Sequence, residues 1–298
     1  GYDLGKEGYF TTINDSIKIY APTYTGSLYG TVTLLQILWQ SEDELNIPCG
    51  VIRDYPKYEI RGAMLDVARM PMRIDFVRDY AKILSWYKLN EFHLHLNDNQ
   101  WSNGDYKNPD AWNNVYDAFR LESINHPGLK PKNNDLNDPY YTQGEFISLQ
   151  EMAMDYGMEV VPEIDTPAHA LAFTRVFRNL ALNGWNPRIS KRPVLDHLDL
   201  GNPESLEFVK TLFNEYMQGE NPVFDTDTTI HVGTDEYEAN KEQYRAFTDS
   251  VLGHIQDNDR TVRMWGGLTW LNGTTPVRSE GVQLNVWSTG WAEPTQMY

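Results

Sequence analysis

Apolar and polar positions divide the chain into two regimes. In residues 1 to 55 the runs are short and alternating. Tyr9-Phe10-Thr11-Thr12-Ile13 and Ser16-Ile17-Lys18-Ile19-Tyr20 predict two strands around an Asn14-Asp15 turn. Residues 31–38 form an apolar run whose length and leucine content favour a helix over a strand. Two strands and a helix cannot bury their apolar faces alone. Residues 1–55 are therefore expected to be the C-terminal part of an accessory α+β domain, with residues 56–298 forming the main domain.

From Tyr58 onward, strand and helix patterns alternate. Strands are predicted at residues 63–67, 91–96, 158–162, 229–232, 261–265 and 282–287. Between them, Phe76, Val77, Tyr80, Ile83, Leu84 and Tyr87 recur at helical spacing behind an Asp75 cap. Thr142 and Glu145 form a capping box for a second helix, which Gly157 stops. Asn202 and Pro203 open a third, with Leu206, Val209, Leu212, Phe213 and Tyr216 on one stripe. Tyr244, Phe247 and Val251 mark a fourth. Repeated strand–helix units imply a parallel sheet, either a (β/α) barrel or an open doubly wound sheet. No glycine-rich fingerprint follows a strand, which argues against dinucleotide binding. Residues 102–141, rich in Asn, Asp and Pro, read as one long functional loop.

Composition narrows the partners. The net charge of −17 repels nucleic acid phosphates and anionic membranes, whereas a neutral sugar meets no such barrier. Nine Trp and eighteen Tyr leave rings over for a binding cleft once a core is filled. No apolar run is long enough to span a membrane. Cys49 is the single cysteine, so no intrachain disulfide forms. Such scarcity fits both the cytosol and many secreted bacterial proteins; the expectation adopted is extracellular or cell surface.

In a barrel, chemistry collects where strands meet the loops that follow them. These positions offer Asp66 and Arg69; Asp98; Glu163, Asp165 and His169; Asp235 and Glu236; Trp265; and Trp287, with Arg61 at the start of the first strand. Neighbouring acids at a strand's end can approach different atoms of one ligand and hold different protonation states. On its own Asp235-Glu236 would read as a solvated loop; the amides, indoles and His169 at the other strand ends make a sugar site the better reading. His93-Leu94-His95 supports a rival, a metal-dependent hydrolase, because alternate strand residues share a face.

Four blocks carry a resemblance: residues 61–69 (RGAMLDVAR), 88–101 (KLNEFHLHLNDNQW), 162–169 (PEIDTPAH) and 231–236 (HVGTDE). In order and spacing they resemble glycoside hydrolase family 20, the β-N-acetylhexosaminidases and lacto-N-biosidases. The likeness implies a (β/α)8 TIM-type barrel behind the end of a small α+β domain. It implies a retaining, substrate-assisted glycosidase that needs no cofactor or metal. Its partners would be oligosaccharides or glycoconjugates with terminal β-GlcNAc or β-GalNAc. By this likeness Glu236 matches the general acid/base and Asp235 the residue that orients the substrate's acetamido group. Arg61, Asp98 and His169 match substrate-contacting positions, and Trp265 and Trp287 match acetamide-pocket walls. Asn99 stands where the family often has a second Asp, and Ala168 where it often has Gly. Six strands are predicted where a closed barrel has eight, so the barrel is expected to be incomplete at its C-terminus. That expectation leaves room for a further polypeptide segment that completes it, or for an inactive fragment that binds sugar or a partner chain.

Overall fold

The alternating N-terminal residues form β1 (Tyr9–Ile13) and β2 (Ile17–Tyr20), paired antiparallel with Phe10 opposite Tyr20. This is a computed structural model, and it describes residues 3–41, 46–100, 115–131, 137–182 and 195–297. α1 (Tyr24–Gln40) begins well before the expected residue 31, because Thr23 caps it by accepting from the Gly26 amide. Gly30 lets it lie close to the strands: a Cβ there would meet Ile19 Cγ2 at 2.7 Å. β3 (Gly50–Asp54) was not foreseen, since only Val51 and Ile52 in it favour a strand. It pairs with β1 in the order β2-β1-β3.

The strand–helix repeats form a second sheet. β4 (Gly62–Asp66) and β5 (Glu91–His95) are followed by a two-stranded ribbon of β6 (Asn97–Asn99) and β7 (Asp117–Phe119). Then come β8 (Glu159–Thr166), β9 (Thr229–Gly233), β10 (Thr261–Trp265) and β11 (Val282–Asn285). The order is β11-β10-β9-β8-β5-β4, with β8/β9, β9/β10 and β10/β11 parallel. These are six strands of a (β/α)8 TIM-type barrel. Every residue of β5 and β9 is buried, as expected of strands covered on both faces.

The connecting helices follow their capping signals. Asp75 sits inside the first turn of α2 (Ile74–Trp86) rather than at its cap. In α3 (Gln143–Asp155) the capping box is made in both directions, Glu145 N to Thr142 Oγ1 at 3.2 Å and Thr142 N to Glu145 Oε2 at 2.9 Å. After the short α4 (Leu171–Thr174), Asn202 caps α5 (Pro203–Met217) and Asn240 caps α6 (Lys241–Gln256); α7 (Pro294–Met297) is one turn. Among the described residues, no helix is long and apolar enough to cross a membrane.

Chain contacts resolve two compact units. One comprises Gly1–Ala63, Val77–Phe92 and Gln150–Glu159, and the other Met64–Phe76, His93–Leu149 and Val160–Tyr298. The first contains a polar knot in which Lys88 Nζ donates to Asp54 Oδ2, Tyr9 Oη and Thr33 Oγ1. The acids, histidines and Trp265 described in the next section lie in the second, and Arg61 with its partners in the first.

Candidate active site

β9 ends in a run of left-handed backbone. Gly233, Thr234 and Glu236 have φ of 69°, 77° and 50°, and His169 after β8 has φ of 54°. A threonine, a glutamate and a histidine held there are strained, and such strain clusters at functional sites. Gly233 is obligatory for a second reason: a Cβ at that position would collide with the Asp165 carboxylate. The Thr234 amide donates to Asp165 Oδ1 at 3.1 Å, and the buried Tyr244 hydroxyl donates to the Thr234 carbonyl at 2.7 Å. The turn that presents Asp235 and Glu236 is thus fixed from both sides.

His169 lies between the two acids. Its Nε2 is 3.3 Å from Asp235 Oδ1 and 3.3 Å from Glu236 Oε2, and its Nδ1 is 3.0 Å from Asp98 Oδ1. Burial works against a charge on His169, but Asp98, Asp235 and Asp165 outweigh it and hold the imidazole well above its usual range. Glu236 is held below the usual carboxylate range, first by hydrogen bonding to His169. The Glu236 side chain keeps 31% of its surface exposed and that of Asp235 only 14%. Asp235 Oδ1 is buried and has no hydrogen-bond partner among the described residues.

Behind this pair runs a chain of alternating charge. Asp98 Oδ2 meets Arg69 Nη2 at 2.5 Å and His95 Nε2 at 2.7 Å. Burial opposes ionisation of Asp98, yet His169 and His95 keep it well below its ordinary value. His95 turns its other nitrogen, Nδ1, to Glu163 Oε2 at 2.7 Å. An imidazole facing a carboxylate on each side must donate from both nitrogens, so His95 is an imidazolium. Accordingly, Glu163 and Asp98 overcome its burial and raise its pKa well above normal. Glu163 is fully buried and also receives His93 Nε2 at 2.8 Å and Trp265 Nε1 at 2.5 Å. Against the cost of burial, the charge of His95 and the hydrogen bond from His93 hold it well below the usual carboxylate range. Asp165 behaves oppositely: burial, then the charge of Asp235, pushes its pKa well up. His231 stays neutral because burial disfavours its charge, and its Nδ1 accepts from the Gly233 amide at 3.1 Å.

The structure gathers Asp98, His169, Asp235, Glu236 and Trp265 into one connected set. Arg61 is placed elsewhere. Its guanidinium is tied to Glu7 Oε2 at 2.9 Å, the Tyr29 hydroxyl at 3.0 Å and the carbonyls of Lys88, Tyr58 and Glu59. It precedes β4, at the end of that strand opposite Asp66, so the reading of Arg61 as a sugar ligand is corrected. Arg69, which follows β4, is the arginine at the site, bridging Asp66 Oδ2 at 2.9 Å and Asp98. Trp287 is half exposed, and its ring stands 5.9 Å from that of Trp291 rather than against the acids. Glu163, Asp165 and His95 were legible only as strand-end or strand residues. His93, Glu163 and His231 place side-chain nitrogen and oxygen atoms within 4.8 Å of one another, a cluster held by hydrogen bonds. Here His93 and Glu163 hydrogen-bond to each other, and His231 accepts from backbone.

Residues 58–295 match the glycosyl hydrolase family 20 catalytic domain, and residues 1–55 match domain 2 of that family. The chain is 28% identical over 250 residues to a beta-hexosaminidase of Porphyromonas gingivalis, covering 78% of this chain and 29% of that protein. It is 25% identical over 307 residues to a lacto-N-biosidase of Bifidobacterium bifidum, covering 97% of this chain and 23% of that protein. Among solved structures, a mutant Streptomyces plicatus beta-hexosaminidase in complex with product GlcNAc superposes with a TM-score of 0.76 at 25% identity. That superposition covers 97% of this chain and 56% of the other. The chain thus spans less than a third of the length of each of these two curated relatives.

Proposed function

The chain belongs to glycosyl hydrolase family 20, and from that membership we propose that it is a retaining glycosidase. In this reading it releases terminal β-linked N-acetylhexosamine, or a lacto-N-biose unit, by substrate-assisted catalysis. The observation that carries the reading is the Asp235–Glu236 pair on a strained strand end, with His169 3.3 Å from both.

The assigned steps balance as follows. The carbonyl oxygen of the sugar's 2-acetamido group forms a bond to the anomeric carbon. The glycosidic bond breaks, and the leaving oxygen takes a proton from Glu236. The resulting oxazolinium carries its positive charge on the former amide, beside Asp235. Water then adds to the anomeric carbon, Glu236 takes its proton, and the ring opens to restore the acetamide with retained configuration. Asp235 Oδ1 is buried with the His169 imidazole 3.3 Å away as its counter-charge, and an acetamido N–H is a donor this carboxylate can accept from. An acid without its proton cannot begin this sequence. In the free site Glu236 is held ionised, and His169 stores a proton 3.3 Å away; substrate that screens the pair lets that proton pass. Holding the internal nucleophile against the reacting carbon supplies effective molarity.

The test is release of chromophore from an aryl N-acetyl-β-glucosaminide and from an aryl β-lacto-N-bioside, run beside Glu236→Gln. The variant is expected to lose about 10²- to 10⁴-fold in kcat, the usual worth of a general acid. Equal rates for both proteins remove Glu236 from the role and leave a sugar-binding chain. The substrate cleaved faster decides between one released sugar and two. An N-acetylglucosamine thiazoline is expected to bind at least about 100-fold more tightly than N-acetylglucosamine, since it resembles the cyclised intermediate.

A further inference from the structure

Glu163 makes more contacts than the support of one histidine requires. One oxygen, Oε2, accepts from His93 Nε2 at 2.8 Å and His95 Nδ1 at 2.7 Å. The other, Oε1, accepts from Trp265 Nε1 at 2.5 Å and lies 3.4 Å from His231 Nδ1. Since that His231 nitrogen already accepts from a backbone amide, it does not donate to Glu163. A fully buried carboxylate is costly unless every lone pair is met by donors. Here three side chains from two other strands, β5 and β10, meet it. The indole of Trp265 packs on both neighbouring imidazoles, 4.6 Å from the His231 ring and 5.5 Å from that of His93.

Two routes therefore leave one residue. Through His95 the contacts run to Asp98, His169 and the acid pair, with steps of 2.7, 3.0 and 3.3 Å. Through Oε1 a single hydrogen bond fixes the plane of the Trp265 indole. We infer that Glu163 is a positioning residue that locks the Trp265 ring and the His95–Asp98–His169 proton chain into one register, so that sugar recognition and proton delivery share a single buried anchor. Glu163 touches no substrate in this account; it acts through Trp265 and His95. The inference rests on the glycosidase reading and extends it to a residue outside the acid pair.

Electrostatics gives the sign. The groups facing Glu163 and His95 are His93 on β5, Asp98 on β6, Asp165 on β8, His169, His231 on β9, Asp235, and Trp265 and Arg263 on β10, with Asp66 at the end of β4 and Arg69 beyond it. Removing the Glu163 charge takes away one of the two anions that keep His95 protonated. His95 then deprotonates at lower pH, and Asp98 loses one of the cations around it while Arg69 and His169 remain.

The experiment is Glu163→Gln, with Glu163→Asp and Trp265→Phe beside it. The histidines are labelled with ¹⁵N and titrated by NMR, and kcat and KM are measured across pH. In Glu163→Gln the His95 titration is expected to move down by about one unit or more. The alkaline limb of kcat should move with it, and kcat at the optimum should fall by about 100-fold, the scale of a misplaced catalytic group. Glu163→Asp, which keeps the charge, should restore most of the titration shift. Trp265→Phe keeps the ring and removes only the N–H; it should raise KM and also shift the His95 titration, because Oε1 loses its donor. An unmoved His95 titration in Glu163→Gln overturns the inference, as does a Trp265→Phe variant altered in KM with His95 unchanged. The titrations need no turnover: an inactive wild type with the expected shifts defeats the glycosidase reading and leaves the anchor standing. Should Glu163→Gln not fold, the Trp265→Phe titration decides alone.

Discussion

His169 shows what a single side chain does here. Its two nitrogens face Asp98 on one side and Asp235 with Glu236 on the other, so its charge is the hinge of the site. Glutamine in its place keeps a donor and removes the proton store; kcat is expected to drop by about 100-fold, read on the aryl substrate. Stability follows the same groups. His95 and His169 are held above their usual range, so their stabilising contribution is complete below about pH 6.5 and is lost as pH rises through the raised values. Asp98 and Glu163 are held below theirs, so their contribution is complete above the usual carboxylate range and is lost as pH falls through the lowered values. Asp165 and His231 shift the other way and weigh against the fold wherever the unfolded chain would ionise them. The melting temperature is therefore expected to fall at alkaline pH, and to fall less steeply in His169→Gln; calorimetry across pH checks this. Arg61 and Arg69 mark the limit of sequence reading at this scale. Both flank one strand within one nine-residue block, and only the strand's direction separates the arginine held by Glu7 and Tyr29 from the one beside Asp98.

Elements were legible where local chemistry dictates them. The Thr142–Glu145 box and the Asn202 cap form as their spacing implies. β10 has the expected bounds, Thr261–Trp265. β8 was expected at residues 158–162. It continues to Thr166, with a register shift between Glu163 and Thr166 where it pairs with β9. That extension is what places Glu163 and Asp165 inside the sheet. The long loop at 102–141 hides the β6–β7 ribbon, whose pairing of Asn97 with Phe119 is non-local and leaves no periodic signal; residues 101–114 and 132–136 of that stretch lie outside the described set. Asn240→Ala should cost about 1 kcal/mol of stability in denaturant unfolding, since its side chain accepts from the amides of Glu242 and Gln243. Gly233→Ala is a sharper test of β9. It meets both the 69° φ and the Asp165 carboxylate; loss of activity far beyond any loss of helical content is expected.

Across the whole chain, charge and topology were the clearest properties in the sequence. The alternation of patterns implies the parallel sheet that forms, and its six strands are the six anticipated. What could not be seen was which side chains meet across strands far apart in sequence, such as Glu163 and Trp265, because such contacts depend on register. With a net charge of −17, KM on the proposed neutral glycan is expected to vary little between low and physiological salt, whereas a sulfated analogue should bind better as salt screens the repulsion. Strand order has a bearing on how the molecule comes into being. Each barrel strand lies beside the barrel strand made just before it, so a nascent chain leaving the ribosome can add each new strand to a finished edge without waiting for a distant partner.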